Sequence, residues 1–259
     1  MLPRCCNLEL RAGLELADIE IRIRNVRNDD HRLNPSLVDS ISAALHCIRC
    51  EVLATPSISA ALITTGEGKY FSNGGDIAWA QSNKQRFFTM MSKVRHLLTD
   101  LMSLPMPTIA AVNGHASGGG YILALCHDYV FMRKDRGYLY MGELDTGTVI
   151  SPTYFAATLK AKISSPAVRR DILLKAEKIT AQAAVTKGII DAAYDNMEET
   201  MTAAVELGEE LVRNNWNGEV YAENRKYLYS DVLHELTIAE TDKILQDSRV
   251  LIKEAVSRL

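Results

Sequence analysis

Two glycine-rich turns carry backbone groups that could bind a negatively charged oxygen. Gly74-Gly75 lies in FSNGGDI (71–77), and Gly118-Gly119-Gly120 lies in HASGGGYILA (115–124). Glycine is the worst helix former after proline, so these residues weaken the helices predicted to follow them. A helix N-terminus offers unsatisfied N–H groups, and a residue without Cβ lets a ligand approach them. Two such turns converging on one oxygen would form an oxyanion hole.

Other chemistry at these turns, and a purely structural role, are alternatives. The G-x-G-x-x-G dinucleotide fingerprint is absent, and Gly66-Glu67-Gly68-Lys69 is too short for a phosphate loop. Ser117 does not lie in a G-x-S-x-G elbow, but a serine beside an oxyanion hole leaves hydrolysis open. Cys126, His127 and Asp128 are neighbours on a predicted helix and point in different directions, so they do not form a triad. Tight packing of a helix against a sheet is the structural explanation of the glycines.

The elements that must position these turns alternate between strands and helices. Apolar patterns predict strands at 19–23, 60–65, 108–112, 129–132 and 138–141, and helices at 34–48, over most of 79–104 and after residue 118. From residue 196 onward the pattern is helical only. The sequence therefore predicts an α/β fold with largely parallel pairing, made of a core over residues 1–195 and a C-terminal helical region over 196–259.

Composition narrows the class of protein. The 259 residues are 47% hydrophobic, which is enough for one large core with a small appended unit. The net charge of −3 and the absence of long basic clusters argue against nucleic acid as a partner. No apolar stretch approaches the ~18 residues of a membrane span. Cys47 and Cys50 have the C-x-x-C spacing without a second pair to complete a zinc site, so we expect two ordinary helix cysteines.

The motifs together resemble the crotonase (enoyl-CoA hydratase/isomerase) superfamily. FSNGGDI is similar to its F-[SA]-x-G-x-D-[LIF] turn, and PTIAAVNGHASGGGYILALCHD (107–128) is similar to its P-x-I-A-A-[VI]-N-G-x-[AC]-x-G-x-G signature. ITAQAAVTKGII (179–190) also matches, and HDYVFMRKDRGYLYMGELD (127–145) is most similar to plant peroxisomal Δ3,Δ2-enoyl-CoA isomerases. The resemblance implies a crotonase-like spiral of β-β-α repeats with a C-terminal helical extension. It also implies an acyl-CoA thioester substrate and a homotrimer or hexamer whose C-terminal helices associate and cover the active site.

The resemblance also implies roles for individual residues. The oxyanion-hole amides would belong to Gly75 and Gly119, and the catalytic carboxylate would be Glu143. Hydratases of the family carry a second glutamate on the glycine helix, where this chain has Ile122. One carboxylate suffices to move a proton from C2 to C4, whereas hydration also needs an activated water, so Ile122 favours an isomerase of fatty-acid β-oxidation. The residues implied to bind the acyl-CoA are Ser72, Asn73, Gly74, Gly75, Asp76 and Gly119.

Several expectations depend on these assignments. Asp145 is the alternative position for the base. Apolar neighbours should raise the pKa of Glu143, which suits a base that must also act as an acid. The reaction needs no metal and no redox cofactor, because coenzyme A is part of the substrate. The residues expected around the acyl chain are Trp79, Phe87, Phe88 and Tyr154.

Other functions stay open beside isomerisation. Hydration, thioester hydrolysis and aromatic acyl-CoA cleavage are alternatives within the superfamily, and a non-catalytic acyl-CoA binding scaffold is an alternative outside catalysis. A scaffold would be expected to lack the acid or the glycines, and both are present.

The tripeptide Ser257-Arg258-Leu259 is a conservative variant of the S-K-L peroxisomal address. Such an address needs a small residue, a cation and a terminal leucine. Together with the resemblance, it predicts a peroxisomal location and an import receptor as partner.

Overall fold

Two sheets and a set of helices make up the protein, whose computed structural model describes residues 8–12, 17–23, 30–54, 60–81, 83–147 and 153–238. The strands in these ranges are β1 (Leu8–Ala12), β2 (Ala17–Ile23), β3 (Ala60–Gly66), β4 (Tyr70–Ser72), β5 (Thr108–Val112), β6 (His115–Ser117), β7 (Tyr129–Arg133), β8 (Leu139–Tyr140) and β9 (Ala192–Tyr194). The helices are α1 (Pro35–Ala54), α2 (Ile77–Gln81), α3 (Lys84–Met102), α4 (Gly119–Leu125), α5 (Thr153–Lys162), α6 (Pro166–Leu174), α7 (Ala181–Thr186), α8 (Met197–Arg213), α9 (Gly218–Leu228) and α10 (Ser230–Thr237).

The larger sheet has the strand order β1-β2-β3-β5-β7-β9. Its strands are parallel except for the antiparallel pair β1 and β2. Strands β3 and β5 are buried along their whole length, which is why their sequences are continuous apolar runs rather than alternating ones. The strands predicted at 19–23, 60–65, 108–112 and 129–132 are confirmed, as is the largely parallel pairing.

The smaller sheet consists of the parallel strands β4, β6 and β8. Of these only β8 was predicted, within the longer segment 138–141. Strands β4 and β6 have three residues each and lie beside glycine-rich turns, and no pattern in the sequence marked them. A Cβ on Gly114 would lie 2.1 Å from the carbonyl oxygen of Lys69, so glycine allows the close approach between the turns before β4 and β6. The element order β3-β4-α2, β5-β6-α4, β7-β8-α5 is the expected series of β-β-α repeats.

Polar caps set the starts of two helices near the site. The side chain of Asn34 accepts a hydrogen bond from the backbone N–H of Leu37 (3.0 Å) and begins α1 within the predicted helix 34–48. The segment 79–104, predicted to be mostly helical, divides between α2 and α3, because Asn83 caps a new helix by accepting from Gln85 N–H (2.8 Å).

The C-terminal part of the described chain is helical, as expected, through α8, α9 and α10. Ala204 of α8 packs into a buried cluster with Ile63 and Ile109 of the larger sheet. Helix α8 therefore belongs to the packing of the core, and the division between residues 195 and 196 stays a prediction.

Three expectations from composition concern spans, metals and cysteines. In the described ranges no helix is long and apolar enough to cross a membrane, and no group of three or more His, Cys, Asp or Glu could hold a metal. Cys47 and Cys50 are free cysteines on α1. The tripeptide Ser257-Arg258-Leu259 lies outside the described residues.

Candidate active site

The three consecutive glycines differ in whether the structure requires a residue without a side chain. Gly118 precedes α4 with φ +50° and ψ −121°, a conformation that side-chain-bearing residues rarely adopt. A Cβ on Gly120 would lie 2.2 Å from the carbonyl oxygen of Ser72, so Gly120 lets α4 pack directly on β4. The first residue of α4 is Gly119, and a Cβ there would meet only ordinary contacts of 3.4 Å or more among the described residues. The packing explanation therefore applies to Gly120, whereas it does not require a glycine at position 119.

The two glycine-rich turns meet. A Cβ on Gly119 would lie 3.7 Å from the amide nitrogen of Gly75, and a Cβ on Gly74 would lie 3.1 Å from the amide nitrogen of Gly119. Gly74 has φ +73°, and its carbonyl accepts a 2.7 Å hydrogen bond from Leu33 N–H that fixes the first turn. Neither the Gly75 nor the Gly119 amide donates a hydrogen bond to another described residue. The two N–H groups suggested by the sequence are neighbours and available for an acceptor.

The polar side chains of FSNGGDI are engaged in holding the first turn. The Ser72 hydroxyl donates to the His31 carbonyl (2.7 Å) and accepts from the Gly74 amide (3.3 Å). The Asn73 side-chain amide donates to the Asp30 carboxylate (3.3 Å), and the Asp76 carboxylate accepts from the Trp79 amide (3.1 Å). Asp76 caps α2 in this way. In the structure these three side chains stabilise the turn that holds Gly74 and Gly75. Direct binding of an acyl-CoA by them stays a prediction.

Glu143 lies directly beside the glycine turn. It follows β8, and a Cβ on Gly118 would lie 3.8 Å from its Oε1. Burial raises the pKa of the Glu143 carboxyl, and a hydrogen bond with its own backbone amide opposes that effect. This agrees with the direction expected from its apolar neighbours. A carboxyl with a raised pKa next to two available amides can take a proton and return it.

The alternative base, Asp145, has a different environment. Its side chain is exposed, and its carboxylate accepts a hydrogen bond from the hydroxyl of Tyr140. Of the two acids on this turn, Glu143 is half-buried and Asp145 is exposed. The geometry favours Glu143 for a reaction at the glycine turns.

Apolar side chains surround the two amides. The Cβ position of Gly119 lies 3.4 Å from Leu33 Cδ1 and 3.6 Å from Phe155 Cζ, and that of Gly75 lies 3.2 Å from Met90 Cε. The sequence analysis missed all three contacts. Met90 follows the expected Phe87 by three residues on α3, so helical spacing could have found Met90. No such spacing pointed to Leu33 or Phe155.

The expected pocket residues have varied surroundings. Tyr154 is buried and packs against Phe155 with ring centroids 5.2 Å apart. Trp79, Phe87 and Phe88 are half-buried on α2 and α3. Ile122, at the position where the resemblance implies a second acid in hydratases, is completely buried in the main core.

The residues Cys126, His127 and Asp128 do not form a reactive group. Helix α4 ends at Leu125, so they follow the helix rather than lie on it. Burial raises the pKa of Cys126 to about 12 and lowers that of His127 to about 4. The thiol therefore stays protonated at neutral pH and the imidazole stays neutral, as suits core residues.

Comparison with known proteins places this geometry in context. Residues 15–249 match the family model described as enoyl-CoA hydratase/isomerase. The chain is 48% identical over 228 residues to the Arabidopsis thaliana protein named "Enoyl-CoA delta isomerase 1, peroxisomal", covering 88% of this chain and 91% of that protein. It is 44% identical over 232 residues to "Enoyl-CoA delta isomerase 3" of the same plant, covering 88% and 93%.

Solved structures share the fold. An apo enoyl-CoA isomerase from Mtb superposes with a TM-score of 0.76 at 19% identity, covering 98% of this chain and 99% of that one. An enoyl-CoA hydratase from Bacillus halodurans superposes with a TM-score of 0.78 at 18% identity, covering 98% and 100%. At sequence identities of 18–19%, this similarity shows that the fold is shared and nothing about function.

Proposed function

The chain belongs to the enoyl-CoA hydratase/isomerase family, and we propose that it is an enoyl-CoA isomerase that converts 3-enoyl-CoA to 2-trans-enoyl-CoA. Three relatives at 44–48% identity bear the name enoyl-CoA delta isomerase, which supports isomerisation over the other reactions of the family. The observation that carries the proposal is the half-buried carboxylate of Glu143 beside Gly118, in the turn that holds the Gly119 amide next to that of Gly75, with the apolar Ile122 on the glycine helix.

The two glycine amides stabilise the enolate. The thioester carbonyl of the substrate accepts hydrogen bonds from the N–H groups of Gly75 and Gly119. These bonds strengthen as the carbonyl becomes an enolate oxygen, and each donor is worth ~3 kcal/mol in the transition state. Leu33, Phe155 and Met90 exclude water around the amides, which strengthens the electrostatic interaction.

Glu143 moves the proton. Its carboxylate removes a proton from C2, and the electron pair of that bond passes into the enolate. The same carboxyl then donates the proton to C4, so that the C3=C4 double bond becomes C2=C3 and the carbonyl is restored. Because burial raises the pKa of Glu143, the protonated intermediate is more accessible than it would be for a solvated glutamate. The scheme uses no metal and no redox cofactor.

A direct assay tests this function against hydration, the main alternative. The protein is incubated separately with 3-enoyl-CoA and with 2-trans-enoyl-CoA, and double-bond migration and water addition are followed in both. Migration without efficient hydration is expected, because Ile122 supplies no second acid to activate a water. Efficient hydration of the 2-enoyl-CoA would instead make the protein a hydratase.

We further propose that the protein acts in peroxisomes. Two of the similar plant isomerases are named as peroxisomal, and the tripeptide Ser257-Arg258-Leu259 fits recognition by an import receptor. A fluorescent protein fused upstream of residue 1 should enter peroxisomes, and deletion of the tripeptide should release it to the cytosol. Unchanged localisation would show that the tripeptide is not an address.

We also propose a homotrimer or hexamer formed through the C-terminal helices. Large apolar side chains are exposed on the outer side of α9, which supports association through this region. They are Val220, Tyr227 and Leu228. Sedimentation equilibrium should give a trimer or a multiple of it, and a monomer at micromolar concentration would contradict the proposal.

A further inference from the structure

We infer that Tyr140 and Asp145 form a clasp that holds Glu143 at the glycine turn, so that both act as positioning residues. The inference rests on the proposed isomerase function. Neither side chain has a hydrogen bond with the Gly75 or Gly119 amide in the described ranges, and their effect on the reaction passes through Glu143.

The clasp closes around the acid along the chain. Tyr140 precedes Glu143 by three residues and Asp145 follows it by two, and the Tyr140 hydroxyl donates a hydrogen bond to the Asp145 carboxylate. The intervening backbone is tied as well, since the Thr146 hydroxyl donates to the carbonyls of Gly142 and Glu143 (3.1 Å each). The acid therefore lies inside a short loop closed by side-chain bonds.

Gly142 is the residue that lets this loop close. A Cβ on Gly142 would lie 2.6 Å from Tyr140 Cε1 and 3.0 Å from its hydroxyl oxygen. One edge of the tyrosine ring thus lies close to the backbone next to Glu143. A larger residue at position 142 would push the ring away from Asp145.

The ring is anchored from outside the turn. Lys178 Nζ lies 5.2 Å from the centroid of the Tyr140 ring and 5.6 Å from that of Tyr138, within the range of a cation–π interaction. The neighbouring Ile179 exchanges backbone hydrogen bonds of 2.8 and 2.9 Å with Leu139. The clasp is connected to a packed strand and does not depend on the turn alone.

The clasp gives the two carboxylates of this turn, Glu143 and Asp145, different exposure to solvent. The phenol of Tyr140 holds Asp145 on the exposed side of the turn, while Glu143 is half-buried with its Oε1 near Gly118. Without the clasp the turn would relax toward solvent. Hydration of Glu143 would then bring its raised pKa back toward the ordinary value and misplace the carboxylate.

Variants of the two residues separate positioning from general stability. Tyr140→Phe keeps the ring on Gly142 and removes the donor, and Asp145→Ala removes the acceptor. Each should lower kcat about 10-fold, within the ~10²-fold that a misplacement of 1 Å can cause, with KM changed less than about twofold. The acid limb of the kcat profile should move to lower pH in both. Asp145→Asn keeps a neutral acceptor and should restore most of the rate.

The matched control is Tyr138→Phe. It removes a hydroxyl from the neighbouring ring, which also lies within cation–π range of Lys178. It should leave kcat and the pH profile unchanged. Wild-type kcat and an unchanged acid limb in both Tyr140→Phe and Asp145→Ala would overturn the clasp. A loss of rate that only follows a lower Tm, with the acid limb unmoved, would also overturn it.

Hydrogen exchange distinguishes failure of the clasp from failure of the proposed function. Amides of residues 142–147 should exchange faster in Tyr140→Phe than in Tyr138→Phe, whichever acyl-CoA reaction the protein catalyses. Equal exchange would refute the clasp. Absence of isomerisation by the wild-type protein would refute the proposed function, and faster exchange in Tyr140→Phe would then still support the clasp.

Discussion

Two carboxylates lie near opposite ends of helix α4, and their surroundings differ. Asp128, just beyond the C-terminal end, accepts hydrogen bonds from Arg225 Nε (2.7 Å) and from the backbone N–H of Thr108 (2.9 Å). Glu143, beside the N-terminal end, lies against Gly118, and burial raises its pKa. A matched set of donors makes the first carboxylate structural. The raised pKa of the second carboxyl suits proton transfer.

The structural carboxylate connects distant parts of the chain. The guanidinium of Arg225 also donates to the carbonyl of Leu101 and to the hydroxyl of Thr108, both at 2.8 Å. The Tyr221 hydroxyl adds a 3.3 Å hydrogen bond to Asp128. Helix α9 is therefore attached to α3 and β5 through one buried ion pair.

The largest effect on stability is expected from removing the partner of Asp128. Arg225→Met should lower the free energy of unfolding by about 3–5 kcal/mol, because a carboxylate that is only 12% exposed would lose its guanidinium. Arg213→Met is the matched control, since Arg213 is 65% exposed and its pair with Glu209 should contribute no more than ~1 kcal/mol. Urea unfolding measures both. Equal losses in the two variants would show that burial does not distinguish these pairs.

A substitution at the glycine turn is expected to lower kcat without affecting the stability of the fold. Gly119→Pro removes one N–H donor and should lower kcat by ~10²- to 10³-fold. Proline is well tolerated at the first position of a helix, which Gly119 occupies in α4, so the fold should survive. Circular dichroism and steady-state kinetics check the two parts of this prediction. A folded variant with the wild-type rate would remove Gly119 from the site.

The smallest effect sharpens the comparison between the two carboxylates. Because burial raises the pKa of Glu143 in the folded protein, the charged form destabilises the fold above that pKa, and this penalty disappears as pH falls through it. Glu143→Gln should therefore slightly increase stability at pH 7 and change nothing at low pH. Asp128→Asn, the same chemical change, should destabilise at pH 7 because Arg225 loses its charge partner. Shifts of the same sign in urea unfolding at pH 7 would contradict the contrast.

The sequence predicted those helices and strands whose burial leaves a pattern of apolar residues within the element itself. Strand β3 was predictable because a strand buried on both faces leaves a continuous apolar run, and helix α1 was predictable because one buried helix face leaves a helical period. Strands β4 and β6 were not, since no pattern in the sequence marked them. The glycine turns were visible as candidate anion sites.

The rest depends on residues far apart in sequence. The need for Gly120 comes from the carbonyl of Ser72, and the role of Asp128 comes from Arg225, 97 residues away. Sequence reasoning alone could not tell which of two neighbouring acids is buried. In the folded turn Glu143 is half-buried, and Asp145 is exposed and accepts a hydrogen bond from Tyr140.

The rate of Glu143→Gln on 3-enoyl-CoA tests the central claim most directly. Gln preserves the volume of the side chain, so the fold and the acyl-CoA affinity should be kept while the isomerisation rate falls by ~10²- to 10⁴-fold, as for loss of a general base. Asp145→Asn, measured in parallel, should retain most of the rate. A Glu143→Gln variant that isomerises as fast as the wild-type protein would contradict the account and move the base to another residue.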